Sequence, residues 1–331
     1  MGRGRPHLPD PAAVLPLTPG ILPPREGCTI DTPVPLAAVA APAWRSYLAL
    51  TKPRVVALML FTVVVGMLLA ARSPTPWQVL LIAPLGIGLV AASAAALNHL
   101  VDRRIDALMA RTRARPLPSG ALGGTEVTAF ALAIGSAGMA LLLVFTNALC
   151  AALTFASLVG YAGIYSLYLK HATPHNIVIG GAAGAAPPLL GWVAVTGQLD
   201  PGALLLFLIV LVWTPPHFWA LAIARRDEYA RAAIPMLPVT HGVAFTSLRI
   251  VQYTVALALI ALLPAAIGMS GWLYLVGASA LGARFVWFTA RLRRDPRLAM
   301  PTFRFSITYL LGMFALLLAD HYLPAIPLAM P

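Results

Sequence analysis

Nine apolar runs separated by short polar stretches set the pattern of the chain. They are Val55–Ala71, Trp77–Leu97, Val127–Phe145, Ala148–Leu169, Ile177–Thr196, Leu204–Ala224, Phe245–Ile267, Trp272–Phe288 and Phe303–Leu323. Each is near the ~20 residues with which an α-helix crosses the hydrocarbon core of a bilayer. A segment in lipid has to satisfy its own backbone hydrogen bonds, and a helix does so. The pattern predicts an all-α polytopic membrane protein with nine transmembrane helices. Residues 1–44 are rich in Pro and Ala, have no sustained apolar run, and read as a disordered leader ahead of a nine-helix domain over 45–331. A secretory signal needs an apolar core behind its first basic residues, and MGRGRPHLPDP has none.

Composition agrees with the pattern. Of 331 residues 60% are hydrophobic and only 10% charged, with a mean hydropathy of +0.83; a soluble domain carries about 25% charged residues. The net charge of +12 does not point to nucleic acid, because the basic residues lie in short loops at the ends of the apolar runs. Topology and anionic lipid headgroups account for them there. Lys52 and Arg54 precede the first run, Arg103 to Arg115 follow the second, Lys170 the fourth, Arg225, Arg226 and Arg231 the sixth, and Arg291 to Arg297 the eighth. The opposite loops hold little beyond Arg72. The positive-inside rule places the N-terminus and the basic loops on the cytoplasmic face of a cell inner or plasma membrane. Cys28 and Cys150 are far apart and lie in no metal-binding spacing.

A faint internal echo adds to this. Lys52-Pro53 opens the first helix, Lys170 with Thr173-Pro174 opens the fifth, and acids follow both the second helix (Asp102, Asp106) and the sixth (Asp227, Glu228). Two four-helix halves around a central cavity, plus a ninth helix, would produce this spacing.

The chemistry concentrates in Asn98–Pro116, NHLVDRRIDALMARTRARP. Asn98, Asp102 and Asp106 stand four residues apart and share one face of a helix. Two readings stand: ion pairs with neighbouring arginines at a solvated helix end, or oxygen ligands for a hard dication whose bound phosphate the arginines grip. Carboxylates are rare in membrane helices without a task, and the second acidic pair after the sixth helix favours the dication. Facing acidic ends would bind Mg²⁺ with a diphosphate ester, the ester's carbon chain lying among apolar side chains below. A transporter with an ion site at paired acids is the reading from another class; such sites lie near the bilayer midplane.

NHLVDRRIDALMARTRARPLPSG resembles the first aspartate-rich motif of the UbiA prenyltransferase superfamily, and is most similar to the branch that farnesylates haem. LKHATPHNIVIGGAAGAAPPLLGWVAVTG (Leu169–Gly197), WTPPHFWALA (Trp213–Ala222), EYARAAIPMLPVTHG (Glu228–Gly242) and FRFSITYL (Phe303–Leu310) resemble further motifs of that branch in the same order, over about residues 45–323. The resemblance implies transfer of a farnesyl group from farnesyl diphosphate to the 2-vinyl group of haem B, with water completing the addition to give haem O. It implies Mg²⁺ held by Asn98, Asp102, Asp106 and Glu228. Arg111, Arg115, Lys52 and Lys170 would hold the diphosphate, with Asp227 and Tyr229 also on the substrate side. Haem A synthase or a terminal oxidase is the implied recipient of the product. The chain departs from the family in two places. Glu228 stands directly before Tyr229 where the family most often has Asp, with Asp227 one residue earlier. His171 follows Lys170 where a second basic residue is common, which leaves the phosphate grip there to Lys170. A quinone precursor or chlorophyllide is the alternative acceptor, which WTPPHFWALA and the IPMLP loop argue against.

Phe218, Trp219 and Tyr165 are candidates to shield a cationic carbon, each worth ~0.5–2 kcal/mol, or are packing residues. His217 is read either as a haem contact or as hydrogen-bonded to a backbone carbonyl freed by Pro215 or Pro216. The glycines of Gly180–Gly184 read as a helix-packing surface.

Overall fold

The computed structural model describes residues 43–71, 75–110 and 112–323. The proposed leader and Arg111 lie outside the described residues, apart from the leader's last two positions. Among the described residues nine helical stretches are long and apolar enough to cross a membrane, and they coincide with the nine apolar runs. A short helix α1 (Ala43–Leu50) leads into α2 (Pro53–Ala70), α3 (Trp77–Leu108), α4 (Gly124–Phe145) and α5 (Ala148–Leu158). The fourth span continues from α5 as a π-helix, Val159–Leu169. Then come α6 (Asn176–Thr196), α7 (Pro201–Ala224), the short α8 (Arg226–Arg231), α9 (Gly242–Ile260), α10 (Trp272–Arg294) and α11 (Ala299–Tyr322).

The second span is longer than its apolar run. Hydropathy falls at Asn98, but the helix continues to Leu108. At 1.5 Å per residue the first twenty residues of α3 already cover about 30 Å, the thickness of the hydrocarbon core. The remaining turns therefore stand at the membrane boundary. Their polar residues keep the helix's period: Asn98, Asp102 and Asp106 are buried, while Arg103 and Arg104 on the opposite side are exposed.

α3 packs along α4, α2 along α6, and α6 along α7, which is also flanked by α9 and α11. In the most apolar stretch of α6 and of α7, 61% of the residues are buried, against 17% in the fourth span, so α6 and α7 form the centre. Between α2 and α6 the backbones touch. A Cβ on Gly66 would run into the carbonyl oxygen of Pro188, and one on Gly191 into that of Val63. Small residues at membrane helix crossings permit this approach, and close dispersion packing there replaces the hydrophobic drive that lipid removes.

Candidate active site

Lys52, immediately before α2, adopts a left-handed backbone conformation with φ 48° and ψ 58°. A lysine in this region is strained, more so before a proline, which disfavours helical conformations of the preceding residue. The side chain's contact explains what holds it there: Lys52 Nζ donates to Asn98 Oδ1 at 2.6 Å. Lys170, at the end of the π-helix, donates to Asp102 Oδ2 at 2.7 Å. Arg115, in the loop after α3, donates through Nη1 to Asp106 Oδ2 at 2.7 Å. Three oxygen-bearing side chains on one helix face thus each hold a cation, and the cations come from three separate segments. Burial, with the Arg115 guanidinium adding to it and Asp102 opposing, brings the Lys52 ammonium down to about 8.

These groups share the wall of a cavity of about 180 Å³. Its polar side is Lys52, Asn98, Asp102, Asp106, Arg115 and Lys170; its apolar side includes Tyr161 and Tyr165 of the π-helix, Phe218 of α7, and Ile234 and Met236 of the loop after α8. Tyr229, from the second acidic motif, also stands on the wall. Tyr161 and Tyr165 stack at 5.7 Å. Gly180 of α6 makes room for them, since a Cβ there would collide with the Tyr165 ring.

The arrangement departs from the sequence-based expectation at Asp227 and Glu228. They line a separate depression with Arg225, Arg226 and Arg231, and Glu228 Oε1 accepts from Arg225 Nη1 at 3.0 Å. The chain turns at α8 so that the motif's tyrosine, not its acids, meets the wall. Trp219 is also off the wall: it is buried and packs edge-on against Tyr253 at 5.3 Å. Tyr165 and Phe218 do line the cavity.

His217 lies between the Trp213 and Phe303 rings, at 4.2 and 4.5 Å. Its partner is a side chain of α11, not a carbonyl freed by the prolines: Nδ1 is 2.7 Å from Ser306 Oγ. The Ser306 hydroxyl donates its one proton to the Phe303 carbonyl at 2.6 Å. When that proton goes to Phe303, Oγ accepts from a His217 Nδ1–H and Nε2 carries the lone pair; the roles reverse in the other tautomer. Ser306, Tyr161 and Ser166 (below) were not singled out from sequence. A serine or tyrosine inside an otherwise apolar run is the only local signal they leave.

The oxygen set fits a hard divalent cation. Asp102 Oδ1 is buried with no hydrogen-bond partner, and Mg²⁺ takes one or two carboxylates together with substrate phosphates. Among the described residues no three His, Cys, Asp or Glu side chains form a metal site by themselves. A site of this kind leaves coordination positions to be filled by phosphate oxygens and water. The acids stand in the last turns of α3, not at mid-bilayer, which removes the geometric basis of the transporter reading.

An all-α membrane bundle with an acidic helix end, cationic clamps and an aromatic-lined cavity is the architecture of a membrane prenyltransferase. Residues 59–318 match the UbiA prenyltransferase family, and the chain belongs to it. Protoheme IX farnesyltransferases of Azotobacter vinelandii and Alkalilimnicola ehrlichii are 63% and 61% identical over 283 residues, 85% of this chain and 95% and 94% of those proteins. A digeranylgeranylglyceryl phosphate synthase has the same fold, with a TM-score of 0.71 at 19% identity, over 84% of this chain and 98% of that one. So does a UbiA homolog from Archaeoglobus fulgidus bound to GPP and Mg²⁺, with a TM-score of 0.58 at 15% identity, over 82% and 99% of the two chains.

Proposed function

We propose that the chain transfers the farnesyl group of farnesyl diphosphate to the 2-vinyl group of haem B, giving haem O. The C1–O bond to the diphosphate breaks, C1 bonds to the terminal vinyl carbon, water adds its oxygen to the inner vinyl carbon, and a proton is released. The observation that carries this reading is the row of Asn98, Asp102 and Asp106, each bonded to a cationic side chain on one cavity wall, in a chain whose relatives at about 60% identity are protoheme IX farnesyltransferases.

Asn98, Asp102 and Asp106 would hold Mg²⁺. Glu228, whose Oε2 is buried without a partner, lies with Asp227 in the neighbouring depression, and would complete the set through a turn of α8 towards the wall. The ion would supply positive charge to the departing diphosphate. Lys52, Lys170 and Arg115, released from their present partners, would turn to the phosphate oxygens and stabilise charge as it develops; Arg111 belongs to the same basic loop. Tyr161, Tyr165, Tyr229 and Phe218 form the adjoining wall. They would face the allylic carbon, keep bulk water from it and stabilise its positive character. The cavity is smaller than the roughly 300–1,000 Å³ that encloses a whole drug-sized ligand, so it suits the diphosphate end. Phe218 is on the wall yet 41% exposed, and the isoprenoid chain would leave past it into lipid.

His217 would meet haem through Nε2, the nitrogen its Ser306 contact leaves available. His217→Ala is expected to weaken haem B binding about 10-fold and to leave the KM for farnesyl diphosphate unchanged. Spectrophotometric haem titration and steady-state kinetics measure both. Unchanged haem affinity with a lowered melting temperature would instead make His217 a packing residue. By charge distribution the N-terminus and the cavity mouth face the cytoplasm, at a cell inner or plasma membrane. The product would pass to haem A synthase or a terminal oxidase. Purified protein supplied with haem B, Mg²⁺ and labelled farnesyl diphosphate is expected to give labelled haem O on chromatography; recovery of unmodified haem B alone would refute the assignment.

A further inference from the structure

The π-helix reaches α3 through a residue that is not on the cavity wall. Ser166 is fully buried. Its hydroxyl donates to the Tyr161 carbonyl at 2.9 Å, five residues back, which is the spacing of a π-helix; in an α-helix a serine bonds back four residues. A hydroxyl has one proton to give, so the Oγ lone pairs remain as acceptors. Asn98 Nδ2 donates to one of them at 2.9 Å. The other hydrogen of the same amide goes to Asp102 Oδ2 at 3.0 Å. Both amide hydrogens are thereby used inside the protein, and Oδ1 is the atom left to face Lys52.

A carboxamide is nearly symmetric in shape, and turned by 180° it would present N–H groups to the cavity. Hydrogens there would repel both a metal ion and Lys52. We propose that Ser166 is a positioning residue: by accepting from Asn98 Nδ2 it holds the Asn98 carbonyl oxygen towards the diphosphate's divalent cation. The widened turn of the π-helix is what allows this. It aims Ser166 across at α3 while Tyr161 and Tyr165, on the same segment, line the cavity. The inference rests on the reading of Asn98 as an oxygen donor in the diphosphate pocket.

The test uses the full chain in detergent, Mn²⁺ as the paramagnetic probe and inorganic pyrophosphate as its co-ligand. Partners behind a metal ligand are worth about 10- to 100-fold in affinity. Ser166→Ala is therefore expected to raise the Mn²⁺ half-saturation concentration by about 10-fold or more. The melting temperature of the apo protein should stay close to wild type, and Ser166→Thr, which keeps the hydroxyl, should restore the affinity. In an Asn98→Asp background the second change is expected to have no further effect on Mn²⁺ affinity, because a carboxylate presents an oxygen in either orientation. Equal losses in both backgrounds would mean that Ser166 acts by packing and would overturn the proposal. Wild-type affinity in Ser166→Ala, with affinity lost in Asn98→Ala, would overturn it while leaving the role of Asn98 intact. Wild-type affinity in Asn98→Ala would remove the underlying reading instead. If Ser166→Ala does not fold, Ser166→Cys, a weaker acceptor of similar shape, takes its place with the same expected direction.

Discussion

Asp102→Asn is expected to lower turnover by about 10²- to 10³-fold, the range measured for removing one electrostatic stabiliser of a transition state. The substitution preserves size and removes one negative charge at the most connected point of the cavity. Asp102 Oδ2 receives Lys170 at 2.7 Å and the Asn98 amide at 3.0 Å, and Oδ1 is buried without a partner. An amide in this place cannot serve both as acceptor for the lysine and as an anionic ligand. The Asn98 amide would also lose its second anchor whenever the new NH₂ faced it. Lys170 would be left beside a neutral group, without the anion that holds it in place for the diphosphate. The bundle itself should survive, because the main apolar core, in which α3 takes part through Ala83 and Ile87, does not include this residue. Initial rates of haem O formation, with thermal melting as the control for folding, measure the effect. Turnover near wild type in a folded Asp102→Asn protein would remove the metal-binding role from α3.

The nine spans could be read from sequence because each apolar run is long enough to cross a bilayer and is bounded by polar residues. The polar wall was legible for a related reason. In a greasy chain, Lys52, Asn98, Asp102, Asp106, Arg115 and Lys170 have few places to go, and a period of four put the three α3 residues on one face. What lay beyond hydropathy was missed. The π-helix occupies VGYAGIYSLYL, a run apolar enough that a shift from four-residue to five-residue bonding leaves no trace in its pattern. The pairing of His217 with Ser306 joins positions 89 apart in sequence, and no local pattern reports it. Asp227 and Glu228 follow the sixth helix as the internal echo suggested, but the turn into α8 decides which neighbour faces the cavity, and Tyr229 takes that place. Lys170 therefore reaches the α3 acids from the second half of the chain as Lys52 does from the first, while the echo's acidic half is displaced.

The Gly180–Gly184 run reads as a packing surface, and Gly180 and Gly181 do pack, against Tyr165 and Thr214, but Gly184 does not, and the difference is measurable. Gly184, inside the glycine-rich run of α6, is exposed, and a Cβ there would meet nothing within 4 Å. Gly191, two turns further on, would drive its Cβ into the Val63 backbone carbonyl of α2. The same chemical change should thus have opposite signs at the two positions. Gly184→Ala is expected to be neutral or to stabilise by up to about 1 kcal/mol, the helix-propensity difference between the residues. Gly191→Ala gains the same propensity but must separate two helices in backbone contact, and overpacking costs about 1–3 kcal/mol or more. The obstacle is a carbonyl in a helix, so no side-chain rotation can relieve it. Separation at this crossing would also move α2, whose N-terminal Lys52 is bonded to Asn98, so the effect should extend to the cavity as a raised KM for farnesyl diphosphate. Melting curves of the two alanine variants in the same detergent decide the matter. Equal stability would mean that α2 and α6 are not in backbone contact at Gly191. A destabilised Gly191→Ala with a raised KM would tie the helix crossing to the position of the diphosphate clamp.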